Sequence, residues 1–155
     1  MADFDLSYLN APVIFRKRPV PVPGDLRPLW RICLLLLLLR RCCRGNRSSF
    51  ARLHVLSWGM LSPDNQNALL QLVNEEQSPD SVYVRVEPSL NRAVDYAIGA
   101  GFIRRANGDH FELTPVGVAA ANKIYEQEDC LEEEKTVMNE LGRRVTETLV
   151  NELFG

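Results

Sequence analysis

The chain has 155 residues, 46% of them hydrophobic and 25% charged, which is enough for one domain with a buried core and too apolar for a disordered chain. The net charge of -2 averages over a strong asymmetry: residues 1–61 carry ten Lys/Arg against three acids, residues 62–113 four against eight, and residues 114–155 four against nine. A basic front and an acidic back predict docking to charged partners.

In chain order, residues 1–24 form the first segment. Pro12, Pro19, Pro21 and Pro23 forbid a continuous helix there and favour extended or polyproline geometry. Phe4, Leu6, Tyr8, Leu9, Val13, Ile14 and Phe15 nevertheless make this arm apolar. It is expected to lie across its own domain or across a partner, with Phe4, Ile14 and Phe15 as docking residues.

RICLLLLLLRRCCRG, Arg31 to Gly45, follows. Its unbroken apolar run, Ile32 to Leu39, is eight residues long. A helix needs about 20 apolar residues to span a bilayer, so the run is too short to cross one. It also lies too far from the start, and is followed by too many arginines, for a secretory signal. A helix apolar on every face remains, buried between other elements. Pro28 suits its first turn, Arg40, Arg41 and Arg44 suit its negative end, and Gly45 and Asn46 stop it.

Ser48 or Ser49 then caps a second helix whose Phe50, Leu53, Leu56 and Met60 share a face, and Ser62 with Pro63 opens a third carrying Leu69, Leu70, Leu72 and Val73. VYVRVE, Val82 to Glu87, alternates like a short strand. Pro88 opens a helix with Leu90, Ala93, Val94, Ala97 and Ile98 at helical spacing. Phe102–Arg105 and His110–Leu113 read as two strands around Asn107-Gly108-Asp109, and Pro115 starts another helix. This order is that of a winged helix-turn-helix domain, mainly α with a small β wing. Three segments result: the extended arm 1–24, a helical winged-helix domain 25–129 and a C-terminal amphipathic helix 130–155. In the last, Leu131, Met138, Leu141, Val145, Leu149 and Leu153 form one stripe, which either joins the core or docks a partner through Leu141, Val145 and Leu149.

The residues offer no nucleophile with a base, no carboxylate pair in an apolar setting and no phosphate loop; GAGF ends a helix where a dinucleotide motif would open one. No cofactor is expected. The four cysteines, Cys33, Cys42, Cys43 and Cys130, make no CxxC pair, and only His54 and His110 could help them hold a metal, so no metal site is expected either. Without disulfide spacing or a leader, a cytoplasmic location is expected. His54 reads as a structural histidine, and His110 as exposed in the wing. Arg40, Arg41, Arg44, Arg47 and Arg52 cluster around one turn, where they either grip phosphates or pair with acids and a helix end. Arg92 is the only basic residue of the helix that would read a groove, beside Glu87 and Asp95. In the wing, Arg104 and Arg105 face Asp109 and Glu112. Sequence-specific DNA reading is therefore disfavoured.

RPLWRICLLLLLLRRCCRGNRSSFARLHVLSWGM followed by GFIRRANGDHFELTPVG resembles the middle component of bacterial ABC three-component systems, the group that includes the small LmuC subunit of Lamassu defence. The resemblance covers about Ile14 to Tyr125, and its most specific part is the leucine run with its arginines, glycine turn and HVL helix. It implies a non-catalytic accessory subunit on an SMC-like ABC ATPase with a coiled coil, beside an effector, often a nuclease, in a complex that senses foreign double-stranded DNA without sequence specificity. By the same resemblance the arginines from Arg40 to Arg52 become candidates for DNA or for acidic ATPase surfaces, and the acidic C-terminal helix a candidate for subunit docking. A free-standing winged-helix transcription regulator and a small enzyme are the alternatives.

Overall fold

The computed structural model describes residues 27–155, so the arm and its docking residues Phe4, Ile14 and Phe15 lie outside the described part. The leucine run forms α1 (Arg27–Arg41), with Pro28 in its first turn and Arg40 and Arg41 in its last. Leu34 to Leu39 are all at most 1% exposed. Successive residues of a helix point about 100° apart, so six in a row can be covered only if the helix is surrounded. It is: α1 packs against α2 (Phe50–Gly59), α4 (Pro88–Gly99), α5 (Pro115–Glu126), α6 (Glu132–Leu141) and strand β3 (His110–Leu113). Each fully buried leucine contributes about 1.5–3 kcal/mol by burial.

Beyond α1 the chain turns through Gly45 and Asn46, both at positive φ (66° and 56°), which glycine and asparagine tolerate best. It then forms a strand that the sequence pattern does not announce, β1 (Arg47–Ser49), whose short Arg-Ser-Ser stretch has no apolar alternation to reveal it. Ser49 ends the strand and caps α2, its Oγ accepting from the Arg52 amide. Ser62 caps α3 (Pro63–Val73) in the same way through the Asn65 amide, with Pro63 in the first turn.

Val82–Glu87 is not a strand: it has no strand partner among the described residues, and Tyr83 is 85% and Val86 55% exposed, while Val84 alone is buried. Alternation gives a segment the pattern of a strand, but only a neighbouring edge can supply the hydrogen bonds. The sheet is instead β1-β3-β2, antiparallel throughout, with β2 spanning Ile103–Arg105. β3 is central, its Glu112 opposite Arg47 on one side and Arg104 on the other. The result is a mainly helical fold with one small three-stranded antiparallel sheet.

Gly117, in the first turn of α5, allows that helix to approach the sheet closely, for an added Cβ would run into the Phe102 carbonyl. The single C-terminal helix expected over 130–155 is two helices, α6 and α7 (Glu147–Phe154). Gly142 breaks them at φ 55°, ψ -131°, a conformation that side chains oppose, and Thr146 caps α7 by accepting from the Leu149 amide. The break lets both helices fold back: α6 packs on α3, and α7 on α2 and on the turn Pro79–Ser81. Among the described residues, no helix is long and apolar enough to cross a membrane.

Candidate functional site

The five arginines around the first turn do not act alike once folded. Arg40 and Arg41, held at the end of α1, project toward α5 and α6. Arg40 donates from Nε to Asn122 Oδ1 at 3.1 Å and from Nη1 to Asn46 Oδ1 at 3.2 Å. Arg41 lies over the face of Tyr125, 4.2 Å from the ring centroid, and its Nη2 donates to Tyr125 Oη (3.4 Å) and Asn139 Oδ1 (3.3 Å). Every one of these partners is uncharged. Arg44 is exposed in the turn that follows and has no ion-pair partner among the described residues.

The remaining basic candidates differ. Arg52 pairs with Glu147 of α7 at 3.1 Å, and Ser49 Oγ donates to the same carboxylate at 3.0 Å. Since Glu147 is partly exposed, screening limits this contact. Substituting Glu147→Ala is expected to cost about 1 kcal/mol in a denaturant titration, with α7 loosened first in hydrogen exchange. Arg104 is bound to Glu112 at 2.7 Å, the cross-strand pair set by the register. Arg105 lies over Phe111, 5.3 Å from its centroid, in a crevice of about 330 Å³ between α4 and the β2–β3 hairpin that Asp95 and Asp109 also line. Arg47 stands opposite Glu112 on β1 without an ion pair among the described residues, and Arg92 is exposed on α4.

Of the docking stripe, Leu141 and Val145 are at most 1% exposed within this chain's own core, so folding uses them and they are not free to dock another subunit, while Leu149 is partly buried against that core. Among the described residues the large exposed apolar side chains lie elsewhere: Tyr83, Val86, Val116 and Phe154. Val86 and Phe154 line an open groove of about 740 Å³ between the β2–β3 turn, the start of α2 and α7, together with Phe50, His54 and His110. His110 is partly buried, in place of the exposed position expected, and its Nδ1 has no hydrogen-bond partner among the described residues.

His54 is buried, with its ring edge-on to Phe50 at 4.4 Å between centroids. Burial lowers its pKa from the ordinary 6.5. The unfolded chain then binds protons more readily than the folded one, so stability contributed by neutral His54 is present above pH 6.5 and lost as pH falls toward the depressed value. A His54→Gln variant is expected to show a flatter fall in denaturation midpoint across that window. The difference between the two proteins isolates His54 from Glu134, whose burial-raised pKa acts in the opposite sense.

All four cysteines are reduced and buried. Burial pushes Cys33 and Cys42 up to about 12 and Cys130 up to about 11, and raises Cys43, so the thiols stay protonated at neutral pH. Among the described residues no group of three or more His, Cys, Asp or Glu could hold a metal ion. Asn46, Asn122, Tyr125 and Asn139 orient Arg40 and Arg41, a role that nothing in the sequence points to. The arginines are up to 98 residues from these partners, and no local pattern links them. Comparison with family models, with curated proteins and with solved structures yields no match.

Proposed function

We propose that the chain is a winged-helix accessory subunit, without catalysis of its own, of a cytoplasmic defence complex built on an SMC-like ABC ATPase, where it joins the coiled-coil ATPase to an effector, often a nuclease. The order helix, β1, helices, α4, β2, β3, with β3 central in the sheet, supports the winged-helix reading. One observation carries the choice of an assembly role over a regulator that reads one DNA sequence. In the elements that would enter a groove, α4 offers Arg92 against Asp95, Arg104 is taken up by Glu112, and Arg105 lies on Phe111 beside Asp109. A surface on which Arg92, Arg104 and Arg105 are accompanied by Glu87, Asp95, Asp109 and Glu112 lacks the positive balance that brings a helix to a phosphate-lined groove.

Co-expression with a coiled-coil ATPase encoded by a neighbouring gene tests the reading. A stable co-purifying complex is the expected result, with phage or plasmid defence lost when Arg40, Arg41, Arg44 and Arg47 are together changed to Glu and the domain still folds. A chain that elutes alone and binds one duplex about a thousandfold better than others at fixed salt is a regulator, and the proposal fails.

A further inference from the structure

We infer that the exit of α1 is a preformed contact for the phosphate backbone of duplex nucleic acid, made by Arg40, Arg41 and Arg44. The inference takes its biological setting from the accessory-subunit reading, but the site itself rests on the guanidinium geometry.

An arginine on a protein surface usually meets one of two fates. Paired with a carboxylate, it is oriented but neutralised, as Arg104 is by Glu112 and Arg52 by Glu147. Left in water, it keeps its charge but must lose side-chain freedom on binding. Arg40 and Arg41 combine the useful half of each. Asn122 and Asn46 hold Arg40, and Tyr125 and Asn139 hold Arg41, through neutral oxygens that fix the guanidinium planes and leave the full positive charges in place. A guanidinium has five N–H donors, so each retains some for a phosphate oxygen. Arg44, exposed beyond them, adds a third cation, and exposed Lys123 follows Asn122 on α5.

Among the described residues, the nearby carboxylates make no ion pair with Arg40, Arg41 or Arg44. Exposed Glu126 and Glu140 adjoin Tyr125 and Asn139 in sequence but form no ion pair with these arginines. Glu132, Glu133 and Glu134 lie toward the other end of α6, about 8–10 Å of helix rise from Asn139. The negative end of the α1 dipole, about half a charge, offsets only part of three cations.

A nucleic acid fits this surface better than an acidic protein. Protein interfaces centre on apolar and aromatic side chains, and among the described residues the large exposed ones are Tyr83, Val86, Val116 and Phe154, none of them on α1, on α6 or in the second half of α5. The patch presents charge, amides and the half-buried Tyr125 that carries Arg41, which suits contacts to a backbone that carry no sequence information.

The test uses the full chain and short duplexes of two unrelated sequences, with binding followed by fluorescence anisotropy from about 50 to about 200 mM salt. Both duplexes should bind alike, with affinity falling steeply as salt rises. The double variant N122D/N139D keeps every arginine but sets a carboxylate against Arg40 and another against Arg41. It should weaken binding about tenfold or more and reduce the salt slope by about 1.8, since each phosphate that is no longer neutralised lowers the slope by about 0.9. R40A/R41A should behave the same, whereas R104A should bind as the parent does; thermal melts establish that each variant is folded. Unchanged binding in folded N122D/N139D and R40A/R41A overturns the inference, and so does competition by poly-glutamate as effective as that by DNA at equal charge, which would make the partner an acidic protein surface. Duplex binding that meets these expectations in a chain that fails to co-purify with the ATPase leaves the site standing and removes the subunit reading. The converse outcome does the reverse.

Discussion

Leu35→Ala and Leu37→Ala are each expected to cost about 3–5 kcal/mol in denaturant unfolding, and to cost nearly the same. Two residues apart on a helix, these side chains point about 200° from one another and meet different neighbours. Both are at most 1% exposed. A helix with one wet face would show a large loss at one position and a change within about 0.5 kcal/mol at the other, the range of ordinary surface substitutions. Equal losses follow only if α1 is enclosed on all sides by α2, α4, α5, α6 and β3. Against a total stability of about 5–15 kcal/mol, either loss brings the domain close to unfolding at ambient temperature. A cost below about 1 kcal/mol at either position would show that the helix has an open side.

Gly117→Ala is the second large effect, expected at about 2–3 kcal/mol, at the upper end of what overpacking usually costs. The added methyl would meet the Phe102 carbonyl and Leu113, and a backbone atom cannot rotate away as a side-chain end can. The first turn of α5 must therefore lift from the sheet. Because the same helix carries Asn122 and Tyr125, the movement should also loosen Arg40 and Arg41. Weaker duplex binding with the arginines intact, together with a lower melting temperature, is the paired result expected. A fall in stability with unchanged binding would show that the far end of α5 holds its position independently of its start.

The parts of this fold that could be read from sequence are those fixed by local chemistry. Ser49, Ser62 and Pro63 announce helix starts through groups only a few residues away, and the eight-residue apolar run is buried because no face of it could be left in water. Features decided by distant partners were hidden. β1 has no strand pattern of its own and exists because β3 offers an edge to it, while Val82–Glu87 has the pattern and lacks that edge. Gly142 looks like a mild weakness within a helical stripe, yet its positive φ ends α6 and lets Val145 and Val150 enter the core. The arginine cluster was visible as charge, but its division into Arg52, fixed by Glu147, and the amide-held pair Arg40 and Arg41 depends on residues much later in the chain.

The enclosure of α1 also has a consequence for synthesis. Its leucines are made before the elements that enclose them: α4 begins at Pro88, β3 at His110, α5 at Pro115 and α6 at Glu132, so these four walls do not yet exist. At about 5–20 residues per second, the roughly 80 residues from the leucine run to α5 take about 4–16 s to add. For that interval a greasy helix stands without its cover in every nascent copy. Cells making this protein must shield that segment with chaperones or with the growing chain itself, and overexpression that outpaces such shielding should yield aggregates nucleated by the leucine run.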